Sequence, residues 1–184
     1  VMENMFFCNS GAEANEAAIK LSRRYGHQKG IETPHMIVLD GAFHGRTVGA
    51  LSATGNQKIR QGFGPLLEGF LHVPPNDLSA IDALADSRTD IAAVMVEPIM
   101  GEGGIRPLQT DYLQGLRARC AQQGWLLIFD EVQTGNGRCG SAYVFEQLGV
   151  SPDVLLTAKG LGNGLPIGVC MAKGVAAEQL GPGD

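Results

Sequence analysis

Lys159 stands between an apolar run, Val154–Thr157, and the glycine-rich stretch Gly160-Leu161-Gly162-Asn163-Gly164. Lysine seldom ends a buried strand. A free lysine amine titrates at about 10.4 and is mostly a cation. Desolvation lowers that value and frees the amine to attack a carbonyl, although a solvated loop lysine would have the same neighbours in sequence. Asp130 closes a second apolar run, Trp125–Phe129. A carboxylate there is partly desolvated and needs a cationic partner; a helix cap or structural ion pair is the competing role. Glu97 follows a third run, Ile91–Val96, and Glu131 follows Asp130. Asn9-Ser10-Gly11-Ala12-Glu13 has the form of a helix entrance, with free backbone N–H groups and a dipole that favours an anion. Gly11 would let that anion approach the backbone. An ordinary capped helix explains the same residues.

Two further motifs suggest other chemistry. Gly135-Asn136-Gly137-Arg138-Cys139-Gly140 matches the dinucleotide fingerprint letter for letter. That fingerprint belongs at the turn directly between a strand and a helix; here the apolar run has already ended at Phe129. Leu126–Glu131 resembles a Walker B strand, but the GxxxxGK[ST] loop it requires does not occur in the sequence.

The elements that must position these groups are legible as a pattern. Met36–Leu39, Ile91–Val96, Trp125–Phe129, Val154–Thr157 and Ile167–Ala172 are short, nearly continuous apolar runs. Such runs are expected of strands buried on both faces of a parallel sheet. Gly11–Lys29 carries Ala14, Ala17, Ala18, Leu21 and Tyr25 on one helical face, and Ser10 with Glu13 forms a capping box. Asp111–Gln123 aligns Leu113, Leu116 and Cys120, with Gly124 as the stop. A shorter helix is expected from Asn76, burying Leu78, Ile81 and Leu84. Alternating strands and helices predict one α/β domain with a mostly parallel sheet. Ligands bind such sheets at the carboxyl ends of the strands, so Glu97, Asp130, Glu131, Lys159 and the helix entrance at Gly11 should meet along one edge.

Composition narrows the function. The chain has 184 residues and 44% apolar content, which suits a globular fold. Its formal charge of −5 gives no support to nucleic-acid binding. The uncharged stretch Gly160–Ala172 is the most conspicuous near the C-terminus apart from Lys159 before it; it is too short and broken to span a bilayer. Cys8, Cys120, Cys139 and Cys170 form no metal-ligand spacing and are expected to be reduced and structural. No signal-peptide pattern is read, and a cytoplasmic setting is expected. The start at Val1 and the closing Gly181-Pro182-Gly183-Asp184 suggest part of a longer protein.

Five segments, in this order, carry a family resemblance: Asn9-Ser10-Gly11-Ala12-Glu13-Ala14-Asn15-Glu16; Phe43-His44-Gly45-Arg46-Thr47; Glu97-Pro98 with Gly101-Glu102-Gly103-Gly104; Phe129-Asp130-Glu131-Val132-Gln133-Thr134-Gly135; and Thr157-Ala158-Lys159-Gly160-Leu161. Together they resemble the class-III, or ornithine-type, aminotransferases. The resemblance implies the large domain of the type I pyridoxal-phosphate fold, with helices on both faces of the sheet, and makes residues 1–184 a partial cofactor-binding domain. It implies that Lys159 holds pyridoxal 5′-phosphate as a Schiff base and shuttles a proton, and that Asp130 pairs with the cofactor's ring nitrogen. Gln133 would reach the phenolic oxygen. Ser10, Gly11 and Ala12 would form the phosphate-binding entrance, with backbone hydrogen bonds from Gly11 and Ala12. Phe43 would lie against the ring, with His44 a neighbour of unassigned role. Arg46 would meet a substrate carboxylate or acyl end, Glu102 would help select between amino groups, and Glu97 would act structurally or through its neighbours.

The implied reaction passes an amino group from N-acetylornithine, or a related ω-amino donor, to 2-oxoglutarate to give glutamate, in arginine biosynthesis. Ornithine, succinylornithine and 4-aminobutyrate are alternative donors. A nucleotide-binding oxidoreductase module resting on Gly135–Gly140 and a non-catalytic fragment are the alternatives from other classes. Whole members of the family are longer and are expected to be homodimers, so the 184 residues alone are expected to turn over little.

Overall fold

The computed structural model describes residues 2–184. In chain order the elements are β1 (Asn4–Cys8), α1 (Gly11–Gln28), β2 (His35–Leu39), α2 (Val48–Ala53), α3 (Gln57–Arg60), β3 (Phe70–Val73), α4 (Leu78–Ser87), β4 (Ile91–Val96), β5 (Ile99–Met100), β6 (Arg106–Pro107), α5 (Thr110–Gln123), β7 (Leu126–Asp130), α6 (Val144–Leu148), β8 (Val154–Thr157) and β9 (Gly168–Ala172). Seven strands form one sheet in the order β1-β9-β8-β7-β4-β2-β3, and β5 pairs with β6 in a separate ladder. Neighbours from β8 through β7, β4 and β2 to β3 are parallel. β9 is antiparallel to both of its neighbours, so the run Ile167–Ala172 supplies the one reversed strand of that sheet among the described residues.

Side-chain alternation divides the core in two. Met36, Val38, Ala93, Met95, Leu126, Ile128, Val154 and Leu156 face α1, where they pack with Ala14, Ala17, Ala18 and Leu21. Ile37, Leu39, Val94, Val96, Leu127, Phe129 and Leu155 face the other way, toward Ile81 of α4 and Leu113, Leu116 and Cys120 of α5. Every residue of β4, β7 and β8 is buried, which explains why these strands read as unbroken apolar runs. Burying each large aliphatic side chain contributes about 1.5–3 kcal/mol. The alanines of α1 let that helix lie close to the sheet and bring its first turn to the sheet's edge.

The helix ends follow their residues. Ser10 Oγ accepts the Glu13 N–H at 3.2 Å. The return bond of Glu13 goes one residue further back than a capping box requires: its carboxylate takes the Asn9 N–H at 2.8 Å. Gly124 ends α5 in the left-handed conformation at φ 65°. α4 begins after Asp77, whose side chain accepts the Ala80 N–H at 3.1 Å, and of its expected core residues Ile81 is fully buried while Leu78 and Leu84 are only partly so. All four cysteines are free thiols; burial pushes Cys120 and Cys170 up to about 12.

Candidate functional site

At the carboxyl edge of the parallel strands lies a cleft of about 450 Å³, a volume typical of small-molecule sites. Lys159, Asp130, Gln133, Ser10, Gly11, Ala12, Phe43 and Arg46 all line it, together with Glu97, His44 and Asn15. The structure thus gathers residues from five chain segments. Glu102 does not line the cleft; it is exposed in the turn that joins β5 to β6.

Asp130 is the last residue of β7 and only 5% exposed. Alternation puts it on the α1 side, in line with Leu126 and Ile128. Its oxygens are engaged from three directions. Oδ1 accepts the Val132 N–H at 3.1 Å. Oδ2 accepts Asn15 Nδ2 at 3.0 Å and lies 2.9 Å from His44 Nδ1. These donors offset the cost of burying a carboxylate. His44 is itself 2% exposed, and its Nε2 has no hydrogen-bond partner among the described residues.

Glu97 leaves β4 beside them. Oε1 accepts the Phe43 N–H at 2.8 Å and Oε2 the Gly101 N–H at 3.1 Å. Burial pushes its carboxyl above the ordinary range; His44 opposes that rise, and the nearby charge of Asp130 adds to it. Glu97 therefore fastens two loops, those of Phe43 and Gly101, to the end of the sheet.

Lys159 follows β8 in a left-handed backbone conformation, φ 47°, which is uncommon for a residue with a side chain. Its Nζ is hydrogen-bonded to Gln133 Oε1. Gly101 makes room for that glutamine: a methyl at position 101 would lie 2.5 Å from Gln133 Nε2. Asn136 steadies the approach to Lys159, donating from Nδ2 to Thr157 Oγ1 at 2.8 Å and to the Ala158 carbonyl at 3.0 Å. The Gly135–Gly140 run is a chain of turns between β7 and α6. It does not join a strand directly to a helix, so it lacks the geometry of a dinucleotide fingerprint.

At the entrance of α1, the N–H groups of the first turn have no intrahelical acceptor, and Gly11 and Ala12 line the cleft. Gly11 also lets the helix sit against the next loop, since a methyl there would lie 2.7 Å from Val132 Cγ1. The Ser10 hydroxyl is occupied as the helix cap. Sequence reasoning assigned no role to Asn15 and left that of His44 open. A polar Asn15 on a face of alanines was the available signal, because a buried amide needs a partner.

A lysine amine, a buried carboxylate and a helix N-terminus meet at one edge of the sheet, and the fold is that of the pyridoxal-phosphate-dependent aminotransferases. The sequence profile of the class-III aminotransferases matches residues 1–184, and the chain belongs to that family. It is 54% identical to the acetylornithine aminotransferase of Nitrosomonas europaea over 183 residues, covering 100% of this chain and 47% of that protein. The acetylornithine aminotransferase of Listeria monocytogenes serotype 4b is 52% identical, over 97% of this chain and 45% of its own length. The ornithine aminotransferase of Toxoplasma gondii superposes with a TM-score of 0.93 at 33% identity, covering 99% of this chain and 44% of that one. The N-acetylornithine aminotransferase of Stenotrophomonas maltophilia superposes at 0.81 with 37% identity, covering 98% and 44%. The chain spans about half the length of the curated relatives it matches. The higher superposition belongs to the less identical structure, so backbone shape does not separate the amino donors.

Proposed function

We propose that this chain is the cofactor-holding part of an aminotransferase subunit that moves an amino group from N-acetylornithine to 2-oxoglutarate. One observation carries the reading: Lys159, Asp130 and the first turn of α1 share a single cleft. The donor set suits pyridoxal 5′-phosphate, because an amine can meet its aldehyde, a held carboxylate its ring nitrogen, and free N–H groups its phosphate. When bound, that cofactor supplies a carbonyl carbon for amines and a ring that takes up electrons.

The protein's own contributions follow from position. Lys159 Nζ, steered by Gln133, gives up and takes back a proton at the reacting carbon. Asp130 presents its carboxyl group to the cleft, braced by His44, Asn15 and the Val132 N–H. Gly11 and Ala12 offer N–H groups to an anion. Phe43 offers a flat apolar surface, and Arg46 a guanidinium for a carboxylate. The role suggested for Glu102 requires a donor that extends past the lining residues. The choice of N-acetylornithine rests on the names of the most similar relatives, with ornithine, succinylornithine and 4-aminobutyrate as competing donors. Arginine biosynthesis and a homodimer rest on the family resemblance, and a cytoplasmic setting on the unpaired cysteines. No helix among the described residues is long and apolar enough to cross a membrane.

In the subunit that carries this sequence, added pyridoxal phosphate should produce an absorbance band near the visible edge that Lys159→Ala abolishes. Glutamate should then form from 2-oxoglutarate faster with N-acetylornithine than with the other donors. A missing band, or NAD binding in its place, would overturn the class. A different preferred donor would overturn only the substrate. The 184 residues alone should turn over little; robust turnover by them would refute that expectation.

A further inference from the structure

α2 begins directly after the Phe43–Arg46 segment and has no cap of its own: Thr47, at its N-cap, makes no side-chain bond to the helix. Five of its six residues are buried, so its first N–H groups need an acceptor from the protein. That acceptor comes from α1. Glu16 Oε1 accepts the Ala50 N–H at 3.0 Å, where a cap oxygen belongs, and also accepts the Thr47 hydroxyl. The carboxylate's charge lies at the positive end of the α2 dipole. Gly49 admits it, since a side chain at position 49 would overlap the Glu16 carboxylate.

The same segment is held at two further points. Thr54 Oγ1, just past the end of α2, accepts the His44 N–H at 3.0 Å and bonds the Ala50 carbonyl at 3.0 Å. Gly45, at φ 135°, rests on the first turn of α1 so closely that an added methyl would lie 2.9 Å from Ala12 Cβ. Arg46 therefore projects to the rim of the cleft from between two anchored neighbours, Gly45 and Thr47. Its long side chain is exposed, so its backbone is what the fold controls.

We propose that Glu16 is a positioning residue for Arg46: by capping α2 from the neighbouring helix, it fixes the backbone from which Arg46 reaches a substrate carboxylate. This rests on the aminotransferase reading and gives that site a support outside the cleft lining. The carboxylate function matters less than the acceptor oxygen, so an amide at position 16 should serve nearly as well and a methyl should not.

The test uses the cofactor-loaded subunit with Glu16→Ala, Glu16→Asp and Glu16→Gln. Glu16→Ala should raise both the KM for 2-oxoglutarate and the inhibition constant of glutarate, an unreactive dicarboxylate, by about tenfold, with kcat changed by no more than about twofold. The cofactor absorbance should persist. Amide hydrogen exchange at Ala50 should speed up by about tenfold. Glu16→Gln should restore all of these to within about threefold of wild type. Glu16→Asp, one methylene short, should behave like alanine and carries the test if the alanine variant fails to fold. Unchanged glutarate binding in folded Glu16→Ala or Glu16→Asp would overturn the proposal, as would equal losses in kcat, absorbance and KM. A wild type with neither absorbance nor turnover would overturn the aminotransferase reading as well; an active wild type with indifferent Glu16 variants sinks only this inference.

Discussion

Asp130 and Glu131 leave β7 one after the other and turn to opposite faces of the sheet. Asp130 points to the α1 side, where it meets Asn15 and His44 and keeps a small exposure to the cleft. Glu131 is fully buried on the other side. Its Oε2 accepts the Thr134 hydroxyl at 2.9 Å and the Val144 N–H at 2.7 Å, and its Oε1 accepts the Phe145 N–H at 2.9 Å. Those N–H groups open α6, which has no side-chain cap of its own. Each carboxylate takes three contacts from the protein. The difference is in the partners. Glu131 is surrounded by local donors that need it for folding; Asp130 is held by side chains from 115 and 86 residues away that leave one side of it toward a ligand space. A buried carboxylate is thus a site candidate when distant elements converge on it and a cleft adjoins it. Burial alone is no such sign.

Substitution should separate the two. Asp130→Asn should keep the fold, because an amide oxygen can still accept from Asn15 or Val132, and should lower turnover of the cofactor-loaded subunit about a thousandfold, or ~4 kcal/mol in barrier. Steady-state kinetics alongside thermal unfolding would show it. Glu131→Ala should do the reverse. It strands two backbone N–H groups and a hydroxyl, so unfolding in urea should show a loss of about 3 kcal/mol. Activity per folded molecule should fall by only about threefold. A more unstable Asp130→Asn than Glu131→Ala would break the comparison outright.

What the sequence disclosed divides along the same line. The central strands were legible because burial on both faces leaves an unbroken apolar run: β4 and β8 match their runs residue for residue, while β7 starts and ends one residue later than its run. β1 and β3 were not read, since they lie at the two edges of the sheet and pack on fewer neighbours. β1 leaves Met5, Phe6 and Phe7 exposed, with no in-out pattern. α2 and α6 were missed for another reason: their caps are carboxylates outside the few residues a capping box spans, Glu16 and Glu131, and a capping signature at the helix start cannot reveal them. At the site, strand ends located Lys159, Asp130 and Glu97, because parallel strands deliver their carboxyl ends to one edge. The contacts of Asp130 with His44 and Asn15 were hidden, because they depend on tertiary approach and leave no local spacing.

Glu97 lies between the two cases and sharpens the contrast. It lines the cleft as Asp130 does, yet its oxygens serve backbone N–H groups as those of Glu131 do. Burial raises its carboxyl above the ordinary value, with the charge of Asp130 adding to the rise. An acid raised in the folded state favours folding while protonated, and that contribution is lost as pH rises from the unfolded value of 4.5 through the folded one. Glutamine has no such titration. The stability advantage of wild type over Glu97→Gln should therefore be greatest near the unfolded value and narrow toward pH 8, by about 1–3 °C in Tm. Repeating the pair in an Asp130→Asn background should shrink the narrowing, because one cause of the raised value is then gone. If the narrowing is unchanged there, Glu97 does not sense Asp130, and its place belongs wholly with the structural carboxylates.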